Sequence, residues 1–165
     1  MNYLNNIESK ILSWDALRKQ LAVWRFKDKK IVFTNGCFDI LHLGHIEYLA
    51  KARELGGVLI IGLNSDDSVH RIKGPSRPLN DEHARAMILA SLSFIDAIVI
   101  FEEETPLELI ELVRPDILVK GKDYKEHEIA GHDVVKSYGG KIITIDLVKG
   151  YSTSQLIEKA RKLHP

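Results

Sequence analysis

The chain of 165 residues sets 23 Lys+Arg against 23 Asp+Glu, so its formal net charge is zero, and 45% of it is hydrophobic. That balance excludes a globally basic nucleic-acid binder, and the length allows one well-buried core. The longest apolar run, Val58 to Leu63, is far short of the roughly 20 residues of a membrane helix. There is no leading apolar stretch ending in small residues, and the single cysteine, Cys37, excludes an internal disulfide or a thiolate metal cluster. A soluble cytoplasmic protein is expected.

Ser13 is placed to cap a helix whose Leu17, Leu21 and Trp24 recur at helical spacing. Residues 1–28 therefore read as a helical prefix, packed on the domain or on a partner, and residues 29–165 as the domain proper. Ile31 to Thr34, a helical stretch from His45 to Leu55, and Val58 to Leu63 form a βαβ unit. The segment from Asn64 to Pro78 reads as a loop because Gly74, Pro75 and Pro78 punctuate it. There follow a helix near Asp81 to Leu92, a strand at Ala97 to Ile100, a helix entered through Thr105-Pro106, and a strand at Ile117 to Lys120. A short helix ended by Gly139-Gly140, a strand at Ile142 to Asp146 and a closing helix from Ser152 complete the chain. Thr105 with Glu108, and Ser152 with Gln155, have capping-box spacing. Apolar strands alternating with amphipathic helices predict α/β architecture: a single Rossmann-like, doubly wound domain with a five-stranded parallel sheet. Such sheets bind ligands beyond the carboxyl ends of their strands.

Chemistry-bearing residues collect at those ends. After the first strand, Thr34-Asn35-Gly36-Cys37-Phe38-Asp39-Ile40-Leu41-His42-Leu43-Gly44-His45 runs into a helix whose first N–H groups suit a phosphate. Gly36 and Gly44 allow close backbone approach, and His42 and His45, three apart, can face one anion. The plainer alternative is a capping or core histidine. A metal site fits less well, because His-x-x-His has no companion Cys/His cluster. Between His70 and Arg85 the cations Arg71, Lys73, Arg77 and Arg85 outnumber Asp81 and Glu82, forming a local basic patch that can clamp polyphosphate or merely lie solvated. Lys120-Gly121-Lys122-Asp123-Tyr124 follows the fourth strand, offering charge, acceptors and a stacking ring. Ser152-Thr153-Ser154 behind Gly150 makes a second anion nest, of which capping alone accounts for one hydroxyl.

The His42-Leu43-Gly44-His45 motif after a first strand, with Ser152-Thr153-Ser154 opening the last helix, resembles the nucleotidyltransferase superfamily that includes the small cytidylyltransferases. Within it, the chain is most similar to the nucleotidyltransferase half of bacterial bifunctional ADP-heptose synthases. That similarity is carried by Gly36 through His42, Asn64-Ser65-Asp66, Lys73-Gly74 with Ser76-Arg77-Pro78, Phe101-Glu102-Glu103 with Thr105-Pro106, and Pro115-Asp116 through Tyr124, and covers roughly residues 30 to 160. Leu147 stands where glycerol-phosphate cytidylyltransferases usually carry an arginine, which argues for the heptose-type branch.

The resemblance implies attack of a sugar 1-phosphate oxygen on the α-phosphorus of a nucleoside triphosphate, with pyrophosphate leaving and no covalent enzyme intermediate. His42, His45 and Lys73 would be catalytic. Gly36, Cys37, Phe38, Asp39, Gly44, Lys120, Gly121, Asp123, Tyr124, Ser152 and Thr153 would join the two histidines in binding nucleotide. Asn64, Arg71, Arg77 and Arg85, with Lys73, would hold the sugar phosphate or the triphosphate tail. Magnesium would arrive on the triphosphate, and Asp39 would orient His42 or approach that ion. The substrates expected are ATP or CTP and a sugar 1-phosphate supplied by a separate sugar kinase, with the enzyme a homodimer. Alternatives are a cytidylyltransferase for glycerol or another polyol phosphate, an adenylyltransferase for a pantetheine-type phosphate, and a nucleotide-sensing module without turnover.

Overall fold

The computed structural model describes residues 2–122, 125–148 and 150–163. Five parallel strands, β1 (Ile31–Gly36), β2 (Val58–Asn64), β3 (Ala97–Phe101), β4 (Ile117–Gly121) and β5 (Lys141–Ile145), lie in the order β3-β2-β1-β4-β5. The sheet is α/β and doubly wound, as the alternation predicts. Strand order reverses between β1 and β4, so a crevice opens there at the carboxyl ends.

Helices cover both faces, and the strands are apolar throughout because each side of the sheet meets a core. On one face Phe33, Ile60, Val99 and Leu118 pack with Leu109, Ile110 and Val113 of α6 (Leu107–Val113) and Val135 of α7 (His132–Ser137). On the other, Val32, Leu59, Ile61 and Val119 pack with Tyr48, Leu49 and Ala52 of α3 (Leu43–Glu54) and Ala86, Leu89 and Ala90 of α5 (Glu82–Ala90).

The N-terminal residues form α1 (Tyr3–Glu8) and α2 (Trp14–Phe26), with Ser13 capping α2 through the Ala16 N–H. Leu17 and Leu21 are fully buried in the first of the two cores. Between these helices Ile11 forms a parallel bridge with Ile98, the Leu12 N–H donating to the Ile98 carbonyl and the Ile98 N–H to the Lys10 carbonyl, both at 2.8 Å. The prefix thus covers the open edge of β3, where unpaired backbone groups would otherwise invite association.

Two local expectations are corrected. Residues Asp66–Lys73 are not loop but helix α4, capped by Ser65 accepting from the Ser68 N–H at 3.1 Å and closed by Gly74 at φ +94°. Asp66 and Asp67 in its first turn and Arg71 and Lys73 in its last match the helix dipole, a signal that the neighbouring Gly and Pro residues obscured. The Thr105–Glu108 capping box does not form: Pro106 is the N-cap of α6 and no side chain caps it. Proline preorganises the entry without a side-chain acceptor. At α8 (Thr153–Leu163), Ser152 accepts from the Gln155 N–H at 3.2 Å, as its spacing predicts.

Candidate active site

The geometry around α3 follows from its first residues. His42, extended at φ −143°, is the N-cap of α3, and its Nδ1 accepts from the His45 N–H at 3.4 Å. The capping reading of His42 is thus met, and the cap uses only one of its two ring nitrogens. With Nδ1 accepting, the neutral ring carries its proton on Nε2, leaving that edge to donate outward. The His42 and His45 rings stack, with centroids 3.8 Å apart and planes 19° from parallel. Burial, and then the neighbouring His42, push the His45 pKa down to about 4, and burial lowers that of His42. Both are neutral at pH 7 in the unliganded protein, so they offer N–H dipoles rather than cations. His45 Nδ1 is buried with no hydrogen bond of ordinary geometry, while the Ile40 backbone near the ring partly opposes the lowering of its pKa.

Gly44 explains the tightness of this turn. A Cβ there would sit 3.1 Å from the His42 ring and 3.4 Å from Tyr151 Cβ. The second contact matters most, because it brings the segment leading into α8, with Ser152 and Thr153, against the opening of α3. Phe38 buttresses the pair from the other side. It is buried, held at φ +44°, and its ring meets His45 edge-on with centroids 5.2 Å apart. A bulky residue in the left-handed region is disfavoured, so this loop is held by its surroundings.

The cationic patch is resolved into separate duties. Asp39, nearly fully buried, accepts from Arg77 Nε at 2.5 Å, the Leu79 N–H at 2.7 Å and the Asn80 N–H at 3.2 Å, while Asn80 Nδ2 donates to the Asp39 carbonyl. Both Asp39 oxygens are thus engaged in fastening the 77–80 loop, and no hydrogen bond joins Asp39 to His42. Arg85 is 1% exposed; it donates to the carbonyls of Asn80, Cys37 and Asn64 and to Asp66 Oδ1 at 2.7 Å. It is an internal strut between β1, β2 and α5. Arg71 donates to the Glu102 carbonyl, and the Asn64 side chain donates to Ser68 Oγ. Lys73 alone of this cation set has no hydrogen-bond or ion-pair partner among the described residues, and it lies close enough to Cys37 to oppose the burial that raises the thiol's pKa.

Lys120 and Gly121 end β4, half-buried and buried, across the crevice from β1. Asp123 and Tyr124 lie outside the described residues. Spacing gave no sign of Asn80 as a part of the site: it meets Asp39 across 41 positions of sequence. Tyr151 was equally hidden. A cavity of about 340 Å³ beyond β2 and β3 is lined by Asp66, Asp67, Asp81, Glu82 and Glu102. Ser65 and His83 complete that lining, and its five carboxylates disfavour a polyphosphate, which leaves the carboxyl ends of β1 and β4, beside the His42–His45 pair, as the better place for one.

Residues 33–159 match the family model described as cytidylyltransferase-like. The chain belongs to the cytidylyltransferase-like family. It is a nucleotidyltransferase by class. It is 58% identical over 152 residues to the bifunctional protein HldE of Syntrophotalea carbinolica, covering 92% of this chain and 31% of that protein. It is 55% identical over 156 residues to the HldE of Campylobacter jejuni subsp. doylei, covering 94% and 32% respectively. The chain therefore spans about a third of the length of these curated relatives. Among solved structures, the lipopolysaccharide core biosynthesis protein from Thermoplasma volcanium is similar at a TM-score of 0.61 and 30% identity, over 75% of this chain and 99% of that one. No helix among the described residues is long and apolar enough to cross a membrane.

Proposed function

We propose that this cytidylyltransferase-like chain joins ATP to a D-glycero-D-manno-heptose 1-phosphate, giving a nucleotide-activated heptose and pyrophosphate. The observation that carries the proposal is the stacked His42–His45 pair at the opening of α3, held against the segment that opens α8. The similarity to HldE proteins and to a lipopolysaccharide core biosynthesis protein supports a sugar-phosphate acceptor. A kinase activity must supply the sugar 1-phosphate, and a homodimer is part of the same proposal.

An oxygen of the sugar phosphate forms a bond to the α-phosphorus as the bond to the bridging oxygen breaks, and pyrophosphate leaves with that electron pair. The attacking group is already an anion near neutral pH, so the residues need to align it and offset charge rather than remove a proton. His42 and His45 donate to the transferred and bridging oxygens, and Lys73 stabilises the pentacoordinate arrangement. Ser152, Thr153 and the open N–H groups of α8 receive the leaving phosphates. Asp39 does not fit as a direct magnesium ligand, since both its oxygens accept from protein donors. Magnesium would arrive on the triphosphate substrate, where it would offset phosphate charge while keeping several of its waters.

Purified protein offered ATP or CTP with heptose 1-phosphate, glycerol phosphate or phosphopantetheine, and read by pyrophosphate release, tests the reading. ATP with the heptose phosphate is expected to give turnover, and His45→Ala to lower it about 10²–10³-fold. Turnover only with CTP and a polyol phosphate would replace this reading with the polyol alternative. Nucleotide binding with no pyrophosphate from any pair would favour a sensor.

A further inference from the structure

A second basic crevice lies at the opposite edge of the sheet, where β1, β4 and β5 begin. It encloses about 240 Å³, and Lys30, Arg114 and Lys141 surround it together with Asp116, Tyr138 and Gly140. Asp116 accepts from the Ile31 N–H at 2.7 Å, which anchors it to the start of β1. Among the described residues Lys30, Arg114 and Lys141 have no carboxylate within ion-pair distance. Arg25, held by its hydrogen bond to the Val113 carbonyl, adds positive potential at Tyr138, and Asp116 opposes it there.

The walls are fixed. Arg114 closes α6 at φ 44°, ψ 60°, a left-handed position where helix ends favour glycine, and its guanidinium lies 4.8 Å from the centre of the Tyr138 ring. Tyr138 is in turn pinned by its hydroxyl donating to the Pro115 carbonyl at 3.2 Å. Burial pushes its hydroxyl up to about 12, so the ring wall stays neutral. A Cβ on Gly140 would lie 2.7 Å from Val135 and 2.9 Å from the Tyr138 ring, so this strand entry tolerates only glycine without a shift. The N–H groups of Gly140 and Lys141 are already bonded to Val135 and Asp116, so a ligand would be held by side chains. Lys30, Arg114 and Lys141 are exposed and outnumber the one carboxylate of the lining, Asp116, at a scale that suits a compact dianion.

We propose that this crevice, between Arg114 on Tyr138 and the side chains of Lys30 and Lys141, is a second anion site for a phosphate group, separate from the transferase site. Free phosphate and the phosphate of a small phosphomonoester share the recognising chemistry. Binding is followed by residue-resolved NMR on the full chain at constant ionic strength, titrating inorganic phosphate in one arm and glycerol phosphate in the other, with sodium chloride as control. Saturable shifts at Gly139, Gly140 and Tyr138 are expected, weakened about tenfold or more in Arg114→Gly and in Lys141→Gln. The arm that saturates at lower concentration identifies the source. Glycine suits the left-handed position, so Arg114→Gly is expected to keep its thermal midpoint, and Lys141→Gln tests the same site without touching the helix end. Shifts no larger than those with chloride, or unchanged in both variants, would overturn the proposal.

Discussion

Replacing Arg85 with alanine separates two roles that a buried cation near a phosphate site can have. As a strut, Arg85 satisfies the carbonyls of Cys37 at 2.6 Å, Asn64 at 2.8 Å and Asn80 at 3.1 Å, and pairs with Asp66. Losing the three carbonyl contacts costs about 1 kcal/mol each, the low end of the range because water enters the vacated space. The Asp66 carboxyl side chain is 31% exposed, so solvent screening reduces the pair to about 1 kcal/mol. The buried aliphatic stem adds about 1 kcal/mol of lost packing. Their sum, about 5 kcal/mol, corresponds to a fall of roughly 10–20 °C in thermal midpoint for a chain of this size. Urea denaturation should show the midpoint shifting with its slope unchanged. Arg85→Lys should recover less than half, because one ammonium cannot reach the strut's several acceptors. A stability loss under about 1 kcal/mol, accompanied by weakened triphosphate affinity, would refute the strut and make Arg85 a ligand-binding arm.

Three further outcomes are expected. The folded pKa of His45, about 4, lies below its ordinary 6.5, so in that interval the unfolded chain binds a proton that the folded chain does not. Stability should be fully present above pH 6.5 and decline as pH falls toward 4, and His45→Gln should flatten that decline in pH-dependent urea titrations; an identical slope would contradict the assignment. Lys73→Ala should lower kcat about 10²-fold with a smaller change in KM, whereas a change confined to KM would make Lys73 a ground-state anchor. Leu17→Ala, at a fully buried position, should destabilise the whole domain by about 3 kcal/mol in a single unfolding transition. A separate early transition would show instead that the first helices fold apart from the sheet.

Much of the site was legible locally. His42, Gly44 and His45 sit within one helical turn, and Ser152 with Gln155 within another, so their mutual geometry follows from helical spacing. The duties of Asp39, Arg77 and Arg85 were not legible. Arg85 meets Cys37 across 48 positions and Arg77 meets Asp39 across 38, and nothing in local spacing says whether a guanidinium turns inward to carbonyls or outward to a ligand. Helix α4 was in principle readable from Ser65 and the charge order that follows, but the adjacent Gly74, Pro75 and Pro78 dominated that stretch.

Alternating apolar runs and helical periods determined the class of fold and the strand ends at which chemistry collects, because burial on both faces of a parallel sheet leaves its mark on every strand. Only the tertiary structure decided which charged groups remain available to a ligand. That choice depends on long-range carbonyls and carboxylates competing for the same donors, and on Tyr151 coming to rest against Gly44, contacts that exist once the sheet has assembled.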